Sequence, residues 1–179
     1  MNNIIKNTIL HIAREKTNLH VIIFFFCFPV LIATIPLLMN FQLNEKAESG
    51  NIISGLSLFI GFFFSLIFVI SDRVQLKKDE LTKVVEIDLS RIAKLNEYIY
   101  FGQKLVETIT STVYISLILI VLILLSEVSF NVSWITNQNI AKVFQTINLY
   151  LGTILLYLIV FILNEMYDFF YGQIGDKKM

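Results

Sequence analysis

Three residue patterns in this chain are of kinds that carry chemistry. Gly55-Leu56-Ser57 has the start of a nucleophile turn, but position 59 is Phe59 rather than the glycine such a turn needs. A serine nucleophile also needs a base within hydrogen-bond reach. The nearest histidine, His20, begins the first apolar run, whereas Ser57 falls near the far end of the second. At about 1.5 Å of rise per residue, roughly 20 Å of depth separates them. The second pattern is Lys104 with Glu107, whose i, i+3 spacing makes an ion pair on a helix. It stands at the lip of an apolar run, whereas a proton-coupling carboxylate belongs at mid-membrane. The third pattern is small and hydroxyl-bearing residues at helical spacing: Ser54, Ser57, Gly61 and Ser65; then Thr108, Thr112 and Ser116; then Asn148 and Gly152. In lipid, such residues let helices approach closely and hydrogen-bond across, or they line a water path. The chain has two histidines and one cysteine, with no Cys/His cluster and no phosphate loop. No cofactor, metal site or enzyme activity is therefore expected.

The elements that position these residues follow from where charge is missing. Only 16% of the residues are charged, against about 25% in soluble domains. Four stretches carry no Asp, Glu, Lys or Arg: 17–44, 49–71, 108–126 and 143–164. Each is about as long as, or longer than, the ~18 apolar residues that suggest a membrane span. Lipid cannot satisfy a free backbone N–H or C=O, so the spanning form is a helix. Four transmembrane helices are expected, over 19–39, 52–70, 106–125 and 143–166. The first is too long for a signal-peptide core and reads as a retained helix. Pro29 and Pro36 should kink it. Residues 40–51 and 127–142 then form two connectors on one side, the second with Trp134 as an interfacial anchor. The lone cysteine, Cys27, sits inside the first run and has no partner for an intrachain disulfide.

Orientation follows from lysine and arginine. Lys6, Arg14 and Lys16 precede the first run. Arg73, Lys77, Lys78, Lys83, Arg91, Lys94 and Lys104 lie between the second and third. Lys177 and Lys178 end the chain, and the two connectors hold only Lys46 and Lys142. The positive-inside bias places both termini and the 71–105 segment in the cytoplasm. Residues 1–18 read as a cytoplasmic amphipathic segment, with Ile5, Ile9 and Ile12 on one face. Residues 167–179 form a short cytoplasmic tail.

The 71–105 segment has helical periodicity and reads as a charged hairpin. Leu81, Val84, Val85, Ile92, Leu95 and Ile99 make one apolar face. It must bury against the other arm, a neighbouring subunit or a soluble partner. Alternation at Val85, Ile87 and Leu89 leaves a short strand open as an alternative. Lys77, Lys78, Lys83, Arg91, Lys94 and Glu97 are the candidate docking residues for a soluble partner. The segment's mixed charge argues against direct nucleic-acid binding.

The layout resembles the small four-helix membrane subunits of bacterial phage-defence systems. Residues 50–61 (GNIISGLSLFIG), a helix ending at Ile70, the charged start at 71–78 (SDRVQLKK) and the return at 105–112 (LVETITST) look similar to that group. The KwaA-type subunits of the two-gene Kiwa system are the nearer resemblance and the RexB-type exclusion proteins the more distant. The resemblance implies a non-enzymatic, oligomeric inner-membrane module that acts with a soluble, KwaB-like cytoplasmic effector. An ion channel or permeabilising protein that depolarises the membrane is the alternative. The charge argument makes a first prediction. A cysteine replacing Lys78 labels only from the cytoplasm and one replacing Lys46 only from outside; the reverse labelling pattern overturns the orientation.

Overall fold

A computed structural model describes residues 8–10, 12, 22–35, 45–83, 89–126 and 137–175. These residues are helical apart from a turn at Thr34, with no strand among them. A π-helical turn (Ile23–Cys27) leads into α1 (Phe28–Ala33), followed by α2 (Glu45–Lys83), α3 (Leu89–Ser126) and α4 (Asn137–Gly175). The last three are long and apolar enough to cross a membrane; Ile23–Ala33 is a shorter apolar helix.

Each long helix overruns its apolar stretch. Between Gly61 and Gly102 the chain contains no glycine or proline, so nothing ends α2 where its charges begin. Instead, α2 continues past Ile70 to Lys83, and α3 runs unbroken from Leu89 into its apolar half. Residues 45–51 and 137–142, on the connector side of the second and fourth apolar runs, are already helical, and α4 continues to Gly175. Trp134, Pro36, and Val85 and Ile87 of the possible strand lie outside the described residues; Leu89 is helical.

The helices pack in the order α2, α3, α4, α1. In the most apolar window of α3, 44% of residues are buried, against 11% for α2. Hence α3 is the central helix and α2 an outer one. Three apolar clusters hold them together. Phe63, Ile70 and Val74 of α2 meet Ile99, Leu105, Ile109 and Val113 of α3, with Ile162 and Phe169 of α4. Leu56 meets Leu119 and Ile123, with Leu155 beyond. Phe25 packs with Ile154, Leu158 and Phe161.

Of the N-terminal segment, Thr8, Ile9, Leu10 and Ile12 are described, and Ile5 lies outside the described residues. Ile12 is fully buried in the Phe25–Phe161 cluster, and Thr8, also buried, donates from Oγ1 to Ser111 Oγ at 3.0 Å. Ile9 and Leu10 are exposed. Thr8 and Ile12 are therefore docked on the helices, Thr8 through a hydroxyl that finds a buried partner.

Pro29 explains the π-helical turn. It has no N–H for the carbonyl four residues back, that of Phe25. Tyr150 of α4 supplies the missing donor, its hydroxyl reaching the Phe25 oxygen at 3.1 Å. Just before the proline, the Phe28 N–H bonds to Ile23 O in the wider π register. One side chain thus repairs the broken ladder and ties α1 to α4.

Gly102 permits the closest approach. A Cβ there would run into Val74 Cγ2 and lie 3.1 Å from the Phe169 ring. We expect Gly102→Leu to force the helices apart and to destabilise the protein by about 1–3 kcal/mol, the usual cost of overpacking. Tyr150→Phe should cost less, about 1 kcal/mol, for one hydrogen bond. Thermal unfolding in detergent checks both; an unchanged Tm for Gly102→Leu contradicts the packing.

Candidate functional site

The residues singled out from the sequence fall into three settings. In the first, Ser54, Ser57, Gly61 and Ser65 are all exposed on the outward face of α2. Each serine donates to its own helix, to the carbonyls of Gly50, Ile53 and Gly61 at 2.8, 2.8 and 3.1 Å. Their hydroxyls are thereby satisfied without a neighbour. Gly61 and Ser65 do not meet Thr112 and Ser116: the first two are exposed and the last two buried. Phe63 and Ile70 occupy the α2–α3 contact instead. In the outer half of α2, Leu56 and Ile53 rather than the small residues pack inward, against Leu119 and Ile123 of α3 with Leu155 of α4 in the same cluster.

In the second setting, Thr108, Thr112 and Ser116 are fully buried along α3, joined by Ser111. All four donate to backbone carbonyls of α3. Thr108 bonds to Lys104 O at 2.9 Å, and Ser111 and Thr112 bond to Thr108 O at 2.8 and 2.9 Å. Ser116 bonds to Thr112 O at 2.9 Å. The column is buried and bonds back to its own helix, and Ser111 also accepts from Thr8. On α4, Glu165 is only 4% exposed. It lies one residue beyond the fourth charge-free run, a boundary position that conceals it in the sequence. Its spacing could have found it, since it falls three residues after Ile162 and four before Phe169, both buried. Asn148 is half-buried, and its side-chain oxygen has no hydrogen-bond partner among the described residues. Gly152 is open, and a Cβ at that position would meet nothing within 4 Å.

The third setting is the charged ends of α2 and α3. Of their apolar stripe, Leu95 and Ile99 are covered, Leu81 lies with Val74 in the same cluster as Ile99, and Phe169 of α4 closes it; Val84 and Val85 lie outside the described residues. Phe169 stacks on Tyr98 at 4.6 Å and on Phe101 at 6.0 Å between ring centres, and Arg73 sits over Phe170 at 5.5 Å. Burial pushes the Tyr98 phenol above its ordinary pKa, and the charge of Arg73 opposes that.

Glu80 organises the charges there. It takes Lys77 from its own helix at 2.8 Å and Arg91 from α3 at 2.7 Å. These bonds, Lys77 first and Arg91 next, hold its carboxyl at about 2. Lys77 and Arg91, both candidate docking residues, are therefore engaged within the chain. Lys94 and Glu97 are exposed, Lys78 is half-buried, and Lys83 ends α2. The expected Lys104–Glu107 pair is present at 2.7 Å. Glu80 was not singled out from the sequence. Its i, i+3 spacing from Lys77 was legible, but its bond to Arg91 depends on how the two helices pair. Among the described residues, no group of three His, Cys, Asp or Glu side chains could hold a metal ion.

Compared with protein-family models, curated proteins and solved structures, the chain finds no match.

The Glu80 geometry makes a prediction with a definite sign. A carboxyl with a depressed pKa contributes to stability above its ordinary value of 4.5, and the contribution disappears as pH falls through about 2. The tie should persist at pH 5 and be lost at strongly acid pH. Arg91→Ala should raise the carboxyl pKa toward the ordinary value, read by NMR titration of the Glu80 side chain; an unchanged titration contradicts the pairing.

Proposed function

We propose that the chain is a non-enzymatic scaffold or sensor subunit of the bacterial inner membrane, of the phage-defence kind that its KwaA-like layout implies. In this reading it spans the membrane four times, with α1 as the first span and both termini cytoplasmic. It oligomerises, and the charged ends of α2 and α3 form a cytoplasmic helical hairpin that docks a soluble effector.

The supporting observation is the length of α2 set against its apolar stretch. Its 39 residues extend roughly 58 Å, about twice the ~30 Å hydrocarbon core. From Ser71 onward the helix is charged, and those thirteen residues extend roughly 20 Å beyond the apolar part. Packing of Val74, Ile99, Gly102 and Phe169 makes the projection stiff. Exposed Lys94 and Glu97 offer a partner charges of both signs, which set register and on-rate more than raw affinity.

Oligomerisation is supported by the outward face of α2. Ser54, Ser57, Gly61 and Ser65 form a shallow strip there, flanked by Leu58 and Phe68, which are 77% and 72% exposed. Small residues between large ones suit a second helix at close range. Gly61 has nothing within 4 Å of a Cβ position, so Gly61→Leu leaves the protomer's packing alone.

The native mass in mild detergent tests the assembly. The wild type should run as a multimer, and Gly61→Leu or Ser57→Leu should reduce its mass; a monomeric wild type sinks the idea. Docking is tested separately by reversing exposed charges, Lys94→Glu with Glu97→Lys. Insertion and oligomer mass should remain, and co-purification of the soluble partner from the native cell should be lost. If instead the purified wild type dissipates a membrane potential in vesicles and Thr112→Leu abolishes that flux, the channel reading replaces this one.

A further inference from the structure

Where the apolar half of α2 gives way to charge, an open groove of about 490 Å³ lies between α2 and α3. Ser71, Gln75 and Lys78 line it from α2, and Gln103 and Glu107 from α3. Val74, Gly102 and Val106 complete the lining, and the absent Gly102 side chain keeps the helices close at that level.

The polar groups of the groove differ in whether they are already engaged. Glu107 is held by Lys104 at 2.7 Å, and the Gln75 amide donates to Asp79 at 3.0 Å. Lys78 has no ion-pair partner among the described residues, and the Ser71 hydroxyl and Gln103 amide make no hydrogen bond there. An ammonium, an amide and a hydroxyl therefore line one cavity, and the Lys104–Glu107 pair leaves Lys78 as its uncompensated charge. Donors of this kind match the oxygens of a phosphate.

Depth identifies the source of that phosphate. The groove sits at the junction of the apolar and charged parts, next to Ile70 and Leu105, which is the headgroup level if α2 and α3 cross a membrane. Toward the apolar side, Phe64 and Phe68 continue the Ser71 face of α2, and Tyr114 continues the Glu107 face of α3. All three are exposed. A soluble phosphate would use only the polar end; a phospholipid would also cover the rings.

We propose that this groove binds an anionic phospholipid headgroup of the phosphatidylglycerol type. Its single negative charge pairs with Lys78, its oxygens accept from Gln103 and Ser71, and its acyl chains lie along Phe64, Phe68 and Tyr114. This rests on α2 and α3 crossing a membrane.

Native mass spectrometry of the full chain in detergent tests it, with phosphatidylglycerol, phosphatidylcholine and inorganic phosphate as probes. The wild type should retain phosphatidylglycerol in preference to phosphatidylcholine. Lys78→Ala should weaken that binding about tenfold, the effect of losing one charge-assisted hydrogen bond. Gln103→Leu, which changes no charge, should weaken it by a smaller factor. Lys94→Ala, outside the groove, should leave it unchanged. Equal retention of the two lipids, or an equal loss with Lys94→Ala, overturns the site. Displacement of the lipid by millimolar inorganic phosphate overturns the lipid assignment.

Discussion

The constraint on which the rest depends is that a backbone inside lipid has no water to bond with. It makes the apolar runs helical and governs the local irregularities too. Pro29 removes one donor, and the structure answers with a π-helical turn and the hydroxyl of Tyr150 on the Phe25 carbonyl. The same rule accounts for the hydroxyl residues. On α2 and α3 alike they bond back to carbonyls of their own helix. Each can then face lipid, a neighbouring helix or another copy without an unsatisfied group.

A second consequence concerns what joins the helices. In lipid, apolar area alone does not select one neighbour over another, so close steric fit carries the choice. Buried on more of its surface than the others, α3 carries the hydroxyl column and Gly102, the narrow place where Val74 of α2 and Phe169 of α4 come near. As an outer helix, α2 keeps a whole face uncovered. That face is the basis for the proposed assembly, and the groove on its other flank is the basis for the proposed lipid site.

Beyond the apolar region the physics changes. The Lys77–Glu80–Arg91 cluster is exposed to water, where single ion pairs contribute little. The stiffness of the charged ends therefore comes from Ile99, Val74 and Phe169, and the Glu80–Arg91 bond chiefly sets the register of α2 against α3. A projection held this way can present a constant charge pattern to a partner, which a frayed loop of the same composition could not.

The sequence by itself determined the helical class, the apolar helices and the local pairs. Charge-free runs imply helices because no other single-segment form satisfies the backbone in lipid, and the Lys104–Glu107 pair follows from i, i+3 geometry alone. What it could not determine is which side of each apolar helix faces inward. In water, an apolar stripe marks the buried face; in lipid, both faces are apolar and the signal vanishes. For that reason the strip from Ser54 to Ser65 proved to face outward while Thr108, Thr112 and Ser116 face inward, although the two patterns look alike. Only tertiary packing could bring Thr8 to Ser111, Tyr150 to Phe25 and Arg91 to Glu80, since each joins side chains whose separation in sequence leaves no periodic trace.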